Sequence, residues 1–152
     1  MRTFVIGVGN AYRGDDAAGI RVAKALRDAR ALPPTCIKQC DGNGTDILDF
    51  IRGADRVILV DAAECDDAPG TIHRIDAELE TLPRTWFGRN SHTFGLAEAV
   101  ETARSLGDLP ERTTVYAIVG ANWDHGGAVS PAVAKACDEV AKRIAAELAG
   151  RG

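Results

Sequence analysis

Three residues of this chain could act together chemically. Asp16 opens a helix after Gly7-Val8-Gly9-Asn10, Asp61 closes the apolar run 57–60, and His92 lies in the polar turn Arg89-Asn90-Ser91-His92 ahead of another helix. Two carboxylates and an imidazole suit a divalent transition metal and leave coordination positions open for a further ligand. Each residue also has a plainer reading. Asp15 and Asp16 could cap the helix and offset its dipole, worth about 1 kcal/mol. An acid after a buried strand often begins a turn, and a single loop histidine is more often a surface residue than a ligand. One cap needs only one aspartate, however. Asp15 fits that position behind the turn Arg13-Gly14, which leaves the Asp16 carboxylate to face the strand ends.

Other motifs are weaker. Gly7-x-Gly9 lacks the third glycine of a dinucleotide site, Tyr12 stands where that glycine belongs, and two aspartates at the helix start would repel a pyrophosphate. Ser91 adjoins His92, but adjacent side chains rarely face each other and no G-x-S-x-G elbow occurs. His73 falls within a strand pattern and His125 in the glycine-rich stretch Trp123-Asp124-His125-Gly126-Gly127, so both rank below His92. Cys36 and Cys40 lie about 13 Å apart along an extended stretch, too far to share one ion. All four cysteines are read as buried or reduced thiols.

The elements that must position these residues alternate between strand and helix. Runs 3–8, 57–60 and 115–119 are continuously apolar, as suits central parallel strands covered on both faces. Runs 36–40 and 71–75 are weaker and expected nearer the edges. Ala18, Val22, Ala25, Leu26 and Ala29 form a helical stripe after Asp15-Asp16. Leu48 and Ile51 mark a short helix after Thr45, and Leu96, Val100 and Ala103 one that ends near Gly107. The last helix begins at Ser130-Pro131 and stops at Gly150. The expected fold is therefore α/β and three-layered: a mostly parallel twisted sheet of about five strands with helices on both faces. In such sheets ligands bind beyond the carboxyl ends of the strands. The first and third strands should be neighbours, so Asp16 and Asp61 could converge there.

Composition narrows the partners. The chain has 152 residues, 22 acidic against 18 basic, and a net charge of −4. This size suits a single domain over residues 1–152, burying roughly 70% of the surface its unfolded chain exposes. The charge balance gives no basic footprint for nucleic acid or an anionic membrane. No apolar run approaches the roughly 20 residues of a membrane span, and the amino terminus enters a strand pattern rather than a signal peptide. The expectation is a cytoplasmic protein that meets small molecules or other proteins.

The blocks Gly-Val-Gly-Asn-x-x-Arg-Gly-Asp-Asp-x-x-Gly at 7–19, Val-Asp-Ala at 60–62, Pro-Gly-Thr at 69–71 and Ser-His-x-x-Gly-Leu-Ala at 91–97, taken together, resemble the hydrogenase maturation endopeptidases nearly end to end. The resemblance implies an endopeptidase of aspartic type that removes the C-terminal extension of a [NiFe]-hydrogenase large-subunit precursor after nickel insertion. It places metal-binding positions at Asp16, Asp61 and His92, with Asp16 where the family often has glutamate. Catalytic work would fall to Asp16 and Asp61. Asn10 and the loop Asp41-Gly42-Asn43-Gly44-Thr45 would meet the substrate. That loop departs from the family's frequent Asp-Gly-Gly-Thr, which bears on which hydrogenase is served. The implied partner is the precursor, and the implied metal is the nickel it carries; no organic cofactor and a monomeric state are expected. Two competitors are a peptidyl-tRNA hydrolase-like enzyme, since Gly-x-Gly-Asn follows a first strand there too, and a non-catalytic nickel-sensing hydrogenase chaperone.

Overall fold

A computed structural model describes residues 2–87 and 94–151. In chain order its main elements are β1 (Thr3–Val8), α1 (Ala18–Asp28), β2 (Ile37–Cys40), α2 (Gly44–Ile51), β3 (Arg56–Ala63), β4 (Ile72–Asp76), α3 (Leu96–Leu106), β5 (Arg112–Val119) and α4 (Pro131–Ala146). The strands form one sheet in the order β2-β1-β3-β5-β4. β1, β2, β3 and β5 run parallel, while β4 pairs antiparallel with β5. The continuous apolar runs are the central strands, and all eight residues of β3 are buried, as both-face coverage requires.

Side-chain alternation along β3 splits the core in two. Ile58 and Val60 pack with Val5, Tyr116 and Ile118 under α1 and α4. Val57 and Leu59 pack with Ile6, Val8 and Val115 under α2 and α3. Helix ends follow local chemistry. Asn43 caps α2 by accepting from Thr45 N at 2.9 Å, so that helix starts at Gly44, ahead of the expected start after Thr45. Gly107, with φ 75°, closes α3 in the left-handed conformation.

Two expectations need correction. Asp61 does not end its strand: β3 runs on to Ala63, because β5 is there to pair with it through Ala62↔Ile118 and Ala63↔Val119. Nor does Asp15 cap α1. A 3₁₀ turn, Gly14–Ala17, leads into that helix with Arg13 at its cap position and no side-chain cap.

The first turn of α1 lies directly on the backbone where β1 and β3 near their carboxyl ends. A Cβ on Gly19 would fall 2.2 Å from the Val60 carbonyl oxygen and 2.4 Å from that of Val8. No side chain fits, and this contact fixes the height of Asp16 three residues earlier. Gly19→Ala should lift α1 and cost roughly 1–3 kcal/mol, the usual range for overpacking. A urea unfolding midpoint unchanged from the native chain would show that α1 has room to move.

Candidate active site

Asp61 sits in β3 opposite Ala117 and is only 5% exposed. Its Oδ1 accepts from the Ala62 backbone N–H at 2.8 Å. Burial pushes its carboxyl well above the ordinary range, the negative charge of Asp16 pushes it further, and the Ala62 N–H opposes them only in part. Asp16 is half-buried in the 3₁₀ turn. Its carbonyl accepts from Asn10 N at 3.2 Å and its own N–H donates to Arg13 O at 3.1 Å. The turn thus holds one carboxylate within electrostatic reach of another that is buried two residues before the end of β3. Such a pair favours whatever brings positive charge, a proton or a cation.

This has a consequence for stability. A carboxyl whose folded pKa is raised binds its proton more tightly in the native state. The contribution of Asp61 to stability is therefore greatest below the unfolded value near 3.8 and is lost as pH rises through the folded value. Asp61→Asn removes that loss, so the native chain should weaken relative to the variant as pH rises through the acid range. Parallel urea-midpoint profiles for the two proteins would show that Asp61 ionises normally.

His92, the third expected ligand, lies outside the described residues. The chain on either side of 88–93 is tied to the same sheet edge: Trp86 O accepts from Glu64 N at 2.9 Å, just past β3, and Phe94 O accepts from Gly44 N at 2.7 Å, at the start of α2.

The residues expected to meet substrate are turn-builders here. Asn10 Oδ1 accepts from Tyr12 N at 2.9 Å, and Asp41 Oδ1 from Asn43 N at 3.0 Å. Gly42 and Gly44 are buried, whereas Asp41 and Thr45 are exposed at the mouth of the edge. Cys40, at the end of β2, has its thiol pushed up to about 11. Burial is the largest cause, the charges of Asp61, Asp41 and Asp46 add to it, and the Gly42 N–H works against it. It stays protonated at neutral pH and is a poor nucleophile. All four cysteines are free, Cys137 buried and the other three half-buried.

Asp15 has a task the sequence did not reveal. Its Oδ2 accepts from Ala121 N at 2.8 Å, Asn122 N at 2.9 Å and Ser130 Oγ at 2.7 Å, and its Oδ1 accepts from Ser130 N at 2.6 Å. Burial alone would raise its pKa, but these donors hold it below the ordinary 3.8. Asp15 thereby clamps the 120–130 loop beneath the turn that carries Asp16. The Ser130 hydroxyl consequently points to Asp15 instead of capping α4. A further cluster, Cys65, Asp67 and His73, was also missed. Cys65 and Asp67 belong to the connection after β3 and His73 to β4, and only the return of the chain brings them together.

The sheet is mostly parallel and α/β, with an acidic pair near its carboxyl edge, and the hydrogenase maturation protease family model matches residues 20–147. The chain belongs to that family, whose members are endopeptidases, which decides against the peptidyl-tRNA hydrolase-like alternative. It is 28% identical over 156 residues to the hydrogenase 2 maturation protease of Escherichia coli (strain K12), covering all of this chain and 93% of that protein. Identity is also 28% over 156 residues with the hydrogenase expression/formation protein HupD of Rhodobacter capsulatus, covering 99% of this chain and 73% of HupD. The solved hydrogenase maturating endopeptidase HybD from E. coli superimposes with a TM-score of 0.77 at 26% identity, covering 100% of this chain and 94% of HybD.

Proposed function

We infer that the chain removes the C-terminal extension from the large-subunit precursor of a [NiFe] hydrogenase once nickel is in place. The nickel belongs to the substrate, and Asp16, Asp61 and His92 contact it as docking ligands. The observation that carries this reading is the burial of Asp61 within electrostatic reach of Asp16. A site built from mutually repelling carboxylates gains most when a cation arrives. Both flanks of the 88–93 segment are anchored at this edge, which favours His92 as the third contact.

The chemistry follows from the same groups. Cys40 is held protonated, so water is the better nucleophile. A carboxyl with a raised pKa lies closer to the working pH and is the better proton acceptor. Asp61 takes a proton from water as it attacks the scissile carbonyl, and the protonated carboxyl can return it to the leaving amine. Asp16 keeps its charge toward the cation. The exposed Asp41 and Thr45 meet the polypeptide beside it, with Asn10 holding the adjoining turn. The proposed setting is the cytoplasm and the proposed state a monomer; no helix among the described residues is long and apolar enough to cross a membrane.

The test holds free nickel low with a chelator and compares nickel-loaded with metal-free precursor, following release of the C-terminal peptide. Cutting of the loaded form alone is expected. Equal cutting of both forms would remove nickel from the recognition step.

A further inference from the structure

Past the end of β3 the chain turns through 64–71 and returns as β4 on the far side of β5. This connection brings Cys65, Asp67 and His73 together, with one ligand atom from each lying within 4.8 Å of the others. His73 Nε2 is 2.7 Å from Asp67 Oδ2, and Cys65 Sγ is 3.6 Å from the same oxygen. The His73 ring is wedged against Trp86, with centroids 4.7 Å apart, which limits its rotation. An open pocket lined by Glu64, Cys65, Asp66, Thr85 and Trp86 adjoins the group.

From this geometry we propose that Cys65, Asp67 and His73 form a second metal site, which takes one borderline-soft divalent transition ion of the zinc class. Bonds of about 2.0–2.3 Å in tetrahedral geometry set donors roughly 3.3–3.6 Å apart. The Cys65–Asp67 spacing already meets that. The shorter His73–Asp67 contact is a hydrogen bond, and it opens when an ion takes the place of the shared proton. Thiolate, imidazole and carboxylate are the donors such ions prefer, whereas calcium or magnesium would want oxygen throughout. The fourth position faces the open pocket. Binding releases the Cys65 thiol proton and the shared His73–Asp67 proton where it is present, so affinity falls at acid pH.

This site is separate from the acidic pair. Asp61 and His73 both register with Ala117 from opposite sides of β5. They therefore lie in one row of the same sheet face, two strand spacings or about 10 Å apart. An ion here would pin the β3–β4 connection beside the cleft without entering the reaction.

The test is a titration of the reduced, chelator-stripped full chain with Co²⁺ alone. The account expects a thiolate-to-cobalt charge-transfer band that saturates near one equivalent. Cys65→Ser should abolish the band. His73→Gln and Asp67→Asn should each weaken binding by about tenfold or more, at least the loss an outer-shell partner causes. Asp16→Asn and Asp61→Asn should leave the band unchanged. Absence of the band in the intact chain, its survival in Cys65→Ser, or its loss in Asp61→Asn would each overturn the proposal. Circular dichroism on every variant confirms that the fold is retained.

Discussion

Asp61→Asn is expected to slow processing of a nickel-loaded precursor by about 10²–10⁴-fold, the range over which a positioned acid or base contributes, while the far-ultraviolet circular dichroism stays native. The amide fills the same volume and can still accept from Ala62 N, so the buried end of β3 keeps its packing. What disappears is the ability to take a proton and to carry the charge that the cation would meet. The variant should also escape the raised-pKa penalty above, which separates loss of function from loss of fold. Asp16→Asn should fall in the same range of rates. The measurement is the time course of C-terminal peptide release, and native rates in either variant would make that carboxylate merely structural.

The largest expected effect on stability is at Asp15, not at either proposed catalytic residue. Asp15→Ala removes the acceptor for three backbone N–H groups and one hydroxyl, at residues 121, 122 and 130. Hydrogen bonds to a charged acceptor contribute about 1.5–3 kcal/mol each but do not add independently. Stranding several donors at once should cost about 3–5 kcal/mol, a large share of a typical domain's stability. The sign with pH is the reverse of that for Asp61. The pKa of Asp15 is depressed, so its contribution is present above the unfolded value near 3.8 and is lost as pH falls through the folded value. Urea unfolding of Asp15→Ala against the native chain checks this, and a loss under about 0.5 kcal/mol would place Asp15 among ordinary surface residues.

The contrast between Asp15 and Asp16 shows what a sequence can convey. Both aspartates suited a helix start, but the cap reading of Asp15 failed because a 3₁₀ turn precedes α1; Asp16 lies in that turn, within electrostatic reach of Asp61. The partners of Asp15 lie 106 to 115 positions away, and no spacing rule reaches that far. Central strands were legible because continuous apolar runs signal burial on both faces, and the helices because their stripes are periodic. The extension of β3 past Asp61 was hidden, since it depends on β5 offering partners beyond Ala117. The cluster at Cys65, Asp67 and His73 was hidden for a similar reason. His73 reads as an ordinary strand residue until the antiparallel return of β4 turns it toward the 64–71 connection.

The central claim, that this chain cuts a hydrogenase precursor through its acidic pair, is tested most directly by intact-mass spectrometry. Nickel-loaded large-subunit precursor is weighed before and after incubation with the native chain and, in parallel, with Asp61→Asn. The account predicts that the native chain removes one C-terminal peptide at a single bond and that the variant leaves the precursor at full mass over the same interval. A precursor that binds the native chain yet keeps its full mass, or one trimmed equally by both proteins, would contradict it.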